Sequence, residues 1–468
     1  MTEEKVTEVN KKQGTAKQTV RQSKKTVTAT PSLSEIFASE NPPKMPDTVP
    51  KLVKIAVSRT PDLLKPTVAQ AIFPALASYP VGLSFEYIDG QERELRINCL
   101  IIAESSGGKD TCLRKPLKRI LAEMKHTDAI NRDRLRQFNE KYNRTSNNAE
   151  KPKRPDDLKI QIIMDDITKA ALYQRMDDAQ GAPLYLKLNE LERWDQVEGA
   201  KGRSNQFSVM KTADDEDNDF GSDRAGTQSV MTTGTLFLNW NANTTIAKAV
   251  KYFRFVLLEG PISRICFATI PEVELGADIP KYGKYDHSYD EALRPYIEHL
   301  KAATGTINCK QAKQLAERLK DECAEFSIKS QSREFFEISH RAIVAAFRKA
   351  CCLYAANGMK YEKSIDDFCR WSFAYDMWIK MRVWADAIRD AKSEVHTSKR
   401  GPRNLLEQIP TNDEGVFSYK DAESVRTQNG MSAEGTTNML SQWKFRGHIL
   451  QITDDSFKKV HYHQAASD

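Results

Sequence analysis

Gly107-Gly108-Lys109 is the densest chemical signal in the chain, and it lies within Ala103-Glu104-Ser105-Ser106-Gly107-Gly108-Lys109-Asp110-Thr111. Two glycines let successive backbone N–H groups turn toward one anion, and a lysine directly after them adds a charge at the outer oxygens of a polyphosphate. This is nucleotide-binding chemistry, with ATP and Mg²⁺ as the expected ligands. The stretch departs from the phosphate-loop pattern G-x-x-x-x-G-K-[ST] at two places. Ala103 stands at the first glycine, and Asp110 stands at the hydroxyl that binds magnesium. Three outcomes stay open: Thr111 takes over the metal, Asp110 binds it directly, or hydrolysis is weak. The competing reading makes Gly-Gly-Lys an ordinary turn.

Phosphoryl transfer to water also needs carboxylates at the ends of neighbouring strands. Asp165-Asp166 follow Ile162-Ile163-Met164, and Asn189-Glu190 follow the run Leu184 to Leu188. Glu190 is the candidate for orienting the attacking water, and Asp165 or Asp166 for holding metal or replacing it in that role. Alternatively, one of these aspartates simply caps the helix that begins near Thr168. Asn241 ends another apolar run, where an amide can sense a terminal phosphate or satisfy loop backbone. Arg264, after Gly260-Pro261, heads the next run, from which it could reach a neighbouring subunit's nucleotide or form an ordinary salt bridge.

The elements that must position these residues follow from periodicity. Leu83 to Ile88 alternates like a strand, Asp89-Gly90 signals a hairpin turn, and Glu94 to Ala103 reads as a strand running into the glycine loop. After the loop, Leu113, Leu117, Ile120, Leu121 and Met124 mark one helix face. Strand, glycine loop and helix are the context that the phosphate-loop reading requires. Further apolar runs at 160–164, 183–188, 234–240 and 262–268, separated by helical or loop material, predict an α/β fold: a mostly parallel sheet with helices on both faces.

The domain expectation is a disordered basic arm over 1–45, a helical lead-in over 46–81, the ATPase core over 82–289, a helical domain over 290–395, and a compact unit over 401–463. In that last unit, helices at 405–409, 419–425 and 436–443 precede a hairpin bent at Asp454-Asp455, a winged-helix pattern. Lys444, Arg446, His448 and Lys458 bracket the hairpin and are the candidate contacts to DNA phosphates; the competing reading makes this unit an assembly module.

Composition narrows the class. The chain has 468 residues, ample for more than one core. It has no apolar run near the ~20 residues that span a bilayer, and no signal peptide opens it, so a cytoplasmic protein is expected. Its eight cysteines show neither C-x-x-C nor zinc-like spacing with histidine, which predicts reduced, packed thiols. The net charge of +6 hides separated basic regions and an acidic run at Asp214, Asp215, Glu216, Asp217 and Asp219.

The order of Glu104-Ser105-Ser106-Gly107-Gly108-Lys109, Asp165-Asp166-Ile167-Thr168, Asn189-Glu190-Leu191 and Ser263-Arg264 resembles the RecA-like helicase domains encoded by phages, prophages and conjugative elements, often fused to primases. The resemblance covers about residues 95 to 390. It implies an ATP-dependent helicase or translocase acting on single-stranded or forked DNA during replication of a mobile element. It also implies a homo-oligomer, up to a ring of six, with any primase supplied by another chain. That family commonly carries Asp-Glu where this chain has Asn189-Glu190, and Ser or Thr where it has Asp110. Those departures leave two rivals standing: an ATP-switched initiator or loader, and a DNA-binding scaffold that does not hydrolyse ATP.

Overall fold

The computed structural model describes residues 31–105, 107–146, 149–155, 157–198, 207–216, 218–222, 232–254, 260–272, 274, 276–393 and 402–460. Residues 1–30 of the basic arm, Ser106, Asp217 and residues 461–463 at the end of the expected hairpin lie outside them. Asn98–Ile102 (β1), Ile162–Ile163 (β2), Leu184–Lys187 (β3), Leu238–Thr244 (β4) and Cys266–Thr269 (β5) form one all-parallel sheet in the order β2-β3-β4-β1-β5. Every residue of β1 and β4 is buried, as expected of strands covered on both faces. Ile102, the last residue of β1, aligns with Thr244 on one side and Thr269 on the other, so the glycine loop emerges between the ends of β4 and β5.

The strand read from Glu94 to Ala103 is broken. Glu92–Glu94 pairs with Leu83–Glu86, which also pairs in parallel with Gly305–Ile307, while β1 enters the other sheet. Arg96 sits at the break. Its buried guanidinium donates to the carbonyls of Ala213 at 3.1 Å and Leu236 at 2.5 Å, tying down two distant loops. The run 262–268 likewise divides, because Gly260-Pro261 starts a single helical turn, Pro261–Arg264, before β5 begins.

β5 is an edge strand, and its unpaired backbone would invite another chain. Helix Lys363–Ser393 covers it. Asp376 accepts from the Phe267 N–H at 2.6 Å, and the Tyr375 hydroxyl both accepts from the Thr269 N–H and donates to its carbonyl. Lys380 neutralises Asp376 at 2.7 Å, with both side chains buried. Most aromatics of this helix are core: Trp371, Phe373, Tyr375 and Trp384 are buried, while Trp378 is partly buried.

One hydrophobic core runs from Leu33 to Ile388 and takes in the helices before the sheet and those after it. Residues 33–38, within the expected arm, are helical and belong to this core. Helix Leu33–Ala38 buries Phe37 against Phe326 and Phe335, with ring centroids 5.3 Å apart in each case. A second core spans Leu405 to Phe457. It is built from helices Leu405–Gln408, Tyr419–Gln428 and Thr436–Phe445 and a three-stranded antiparallel sheet. That sheet sets the hairpin Ile449–Thr453 and Ser456–Lys459 beside Val416–Ser418, a strand that periodicity does not reveal. Trp443 of this unit donates its indole N–H to the Ile328 carbonyl at 2.8 Å.

All eight cysteines are buried and free, including Cys351 and Cys352. Among the described residues, no helix is long and apolar enough to cross a membrane.

Candidate phosphate-binding site

The loop after β1 reaches helix Lys109–Ile120 through Gly108, which is left-handed at φ 75°, a conformation glycine adopts without strain. No side chain caps the helix, so its first N–H groups face the loop with the positive end of the helix dipole behind them. Gly107 has a different reason: a Cβ there would stand 3.3 Å from the Glu104 carbonyl. Lys109 folds back over the loop and donates to the carbonyls of Ala103 at 3.1 Å and Glu104 at 2.7 Å. Burial holds its ammonium below the usual lysine range; Glu104 opposes the shift and nearby Lys248 adds to it. Glu104 and Ser105 are exposed, and Thr111 is exposed on the first turn of the helix.

Asp110 does not stand alone. Lys187, the last residue of β3, reaches it at 2.5 Å and also approaches the Asn189 amide oxygen at 3.5 Å. Asn189 in turn donates to Asp165 at 2.7 Å. Residues from the loop helix, the end of β3 and the turn after β2 are thus linked by direct polar contacts along the carboxyl ends of the strands, where open α/β sheets bind their ligands. Asp110, Asn189 and Asp165 were singled out from sequence; Lys187 was not, because a lysine inside an apolar run looks like a strand-edge residue. Asp165 and Asp166 do not cap the following helix. Thr168 does, accepting from the Ala171 N–H at 3.4 Å. Glu190 is exposed directly beyond Asn189, and Asp166 is exposed on the turn after β2.

Further residues come to the site from the end of β4 and the helix that follows it. Thr244, aligned with Ile102, has a buried hydroxyl with no hydrogen-bond partner. Thr245 caps helix Ile246–Phe253, which carries Lys248, a lysine 3.3 Å from Glu192. Asn241 is not brought to the loop. It lies three residues before the end of β4, about 10 Å back at the usual strand rise, and both ends of its buried amide are engaged, by Tyr185 and by the Ala71 carbonyl. Its alternation with Asn239 and Asn243 marks a sheet face, not a ligand site.

Arg264 ends the helical turn before β5, at the opposite end of a strand about 10 Å long from the loop. There it joins a largely buried ion cluster, 3.8 Å from Asp214 and from Asp215, with a bond to the Gly260 carbonyl. The cluster is centred on Arg348, which binds Asp214 at 2.7 Å and Glu216 at 2.6 Å. Burial alone would lower the Arg348 pKa, but the two carboxylates outweigh it and carry it up. The acidic run is therefore partly internal and charge-balanced.

In the C-terminal unit, Lys444, Arg446 and Lys458 are exposed, with Lys444 2.7 Å from Gln451. His448 is buried, and burial, aided by Lys329 and Arg446, holds its imidazole below the usual histidine range. Enclosed in the fold, this imidazole is not presented to a phosphate, so the exposed basic surface reduces to the other three. Phe445, Leu450 and Ile452 are exposed beside them.

Among the described residues, no group of three or more His, Cys, Asp or Glu is placed to hold a metal ion. No protein-family model matches the chain, and no curated protein matches it.

Proposed function

We propose that the chain is an ATP-dependent DNA helicase or translocase serving the replication of a phage or other mobile element. The observation that carries this reading is the Gly107-Gly108-Lys109 loop, set at the carboxyl end of a central parallel strand and opening an uncapped helix. The strand order β2-β3-β4-β1-β5, with the loop strand between β4 and β5, is compatible with a RecA-like core. In this reading the loop N–H groups and Lys109 hold the nucleotide's outer phosphates. Lys109 has only two loop carbonyls to exchange for them. Glu190 orients the attacking water, and the Thr244 hydroxyl, unpartnered and beside the loop, senses the terminal phosphate. The C-terminal unit, whose helices and hairpin follow a winged-helix order, lays Lys444, Arg446 and Lys458 on the DNA backbone. Arg264 serves a neighbouring subunit only if its cluster opens.

Steady-state ATPase measured beside unwinding of a forked duplex tests the proposal, with Lys109→Ala as the inactive control. Unwinding that persists in Lys109→Ala, or wild-type nucleotide affinity in that variant, sinks it. A second reading draws on one observation: the Asp110 carboxylate is already paired with Lys187. That pairing favours an ATP-switched initiator or loader, or a scaffold that binds ATP without turnover. Nucleotide-dependent assembly on DNA without ATPase activity would select it.

A further inference from the structure

A divalent cation at a phosphate loop needs oxygen ligands free to turn toward it, and magnesium demands near-octahedral oxygens at close range. Asp110 and Asn189 do not meet that need as they stand. Asp110 is bound by the Lys187 ammonium at 2.5 Å. Asn189 turns its amide oxygen toward the same ammonium and its N–H₂ toward Asp165, occupying one oxygen of that carboxylate. Between the helix and the strand end the space is spanned by a positive charge on a side chain.

We propose that the Lys187 ammonium takes the place of the divalent cation, so that this site binds the di- or triphosphate of a nucleotide without magnesium. The inference rests on the phosphate-loop reading above and goes beyond it. The two departures from the family pattern then have one cause. A hydroxyl at position 110 and a carboxylate at position 189 would suit a dipositive ion, whereas a carboxylate and a neutral amide suit a monopositive one. An aspartate facing a triphosphate would repel it; paired with Lys187, it adds no net charge. Lys187 is about one-quarter exposed, so it is not sealed inside the fold. With Lys187 balanced by Asp110 and Lys248 held 3.3 Å from Glu192, the remaining positive charge at the loop comes from Lys109 and the uncapped helix N-terminus behind it.

The test is direct binding of a fluorescent ATP analogue to the full chain, in buffer with magnesium and in buffer with EDTA. The wild type should bind with affinities that agree within about threefold, a difference under 1 kcal/mol. The double variant Lys187→Met/Asp110→Ser removes the pair without leaving an unpaired charge. It should lose at least ~10-fold in EDTA and regain affinity when magnesium is added. Wild-type binding that disappears in EDTA overturns this inference while leaving the nucleotide site standing. Failure of the wild type to bind in either buffer, with circular dichroism showing a folded chain, overturns the site reading itself. Equal affinity of wild type and double variant in EDTA would also overturn the role of Lys187.

Discussion

Replacing Arg348 with methionine removes the centre of the ion cluster that holds the loop 214–216. Arg348 is about 3% exposed and makes four hydrogen bonds: to the Arg96 carbonyl, to the Asp214 side chain and carbonyl, and to Glu216, at 2.6 to 3.1 Å. Breaking a buried pair from one side typically costs ~3–5 kcal/mol, because the surviving charge stays buried and unpaired. Here Asp214 keeps Arg341 at 3.4 Å and Arg264 at 3.8 Å, which places the expected loss toward the lower end, about 3.5 kcal/mol. With an unfolding entropy of ~2.1 cal/mol/K per residue over the roughly 350 residues that share the core, melting should fall by about 5 °C. Calorimetry or far-ultraviolet circular dichroism measures it. Arg348→Met/Asp214→Leu should recover part of the loss, since Asp214 is no longer stranded and Glu216 keeps Arg93 at 3.3 Å. A single variant that melts within about 1 °C of the wild type, or a double variant worse than the single, would mean that water already solvates the cluster.

Three other outcomes are expected. Glu190→Gln should bind ATP like the wild type and lose at least ~100-fold in turnover; normal turnover would move water positioning to Asp165 or Asp166. Reversing charge at Lys444 and Arg446 together should weaken DNA binding and reduce the slope of log affinity against log salt by about 2, with nucleotide binding unchanged; an unaltered slope would make the C-terminal unit an assembly module. For His448, whose pKa is lowered on folding, the unfolded chain takes up the proton first as pH falls. Its contribution to stability is therefore complete above about pH 6.5 and is lost below it. His448→Gln should flatten the acid side of the C-terminal unit's melting profile, and an identical profile would clear His448 of any part in it.

Local signals carried the loop. An apolar run, two glycines, a lysine and a helical stripe are consecutive in sequence, and each imposes its geometry on its neighbours. The C-terminal helices were legible for the same reason, with Ser418 and Asp421 forming a capping box at the start of one of them. What sequence could not show was pairing at long range. Asp214 finds Arg348 across 134 positions, so the sequence alone does not show that the acidic run is partly interior. Asn241 was recognisable as part of a strand, but its distance from the strand end depends on where β4 stops. Lys187 became part of the site only because the crossover from β1 to β3 sets the ammonium beside Asp110, 77 positions away.

The way helix Lys363–Ser393 closes β5 bears on how this chain can be inherited. A nucleotide-binding cassette that ended after β5 would carry bare backbone at Phe267 and Thr269, and the lead-in helices would lose the same interior, so residues 33–388 must travel as one genetic unit. The C-terminal unit has its own interior, tied to the larger core where Ile328 packs against it and accepts from Trp443. The boundary between the two cores lies between the residues proposed to hold nucleotide and those proposed to touch DNA.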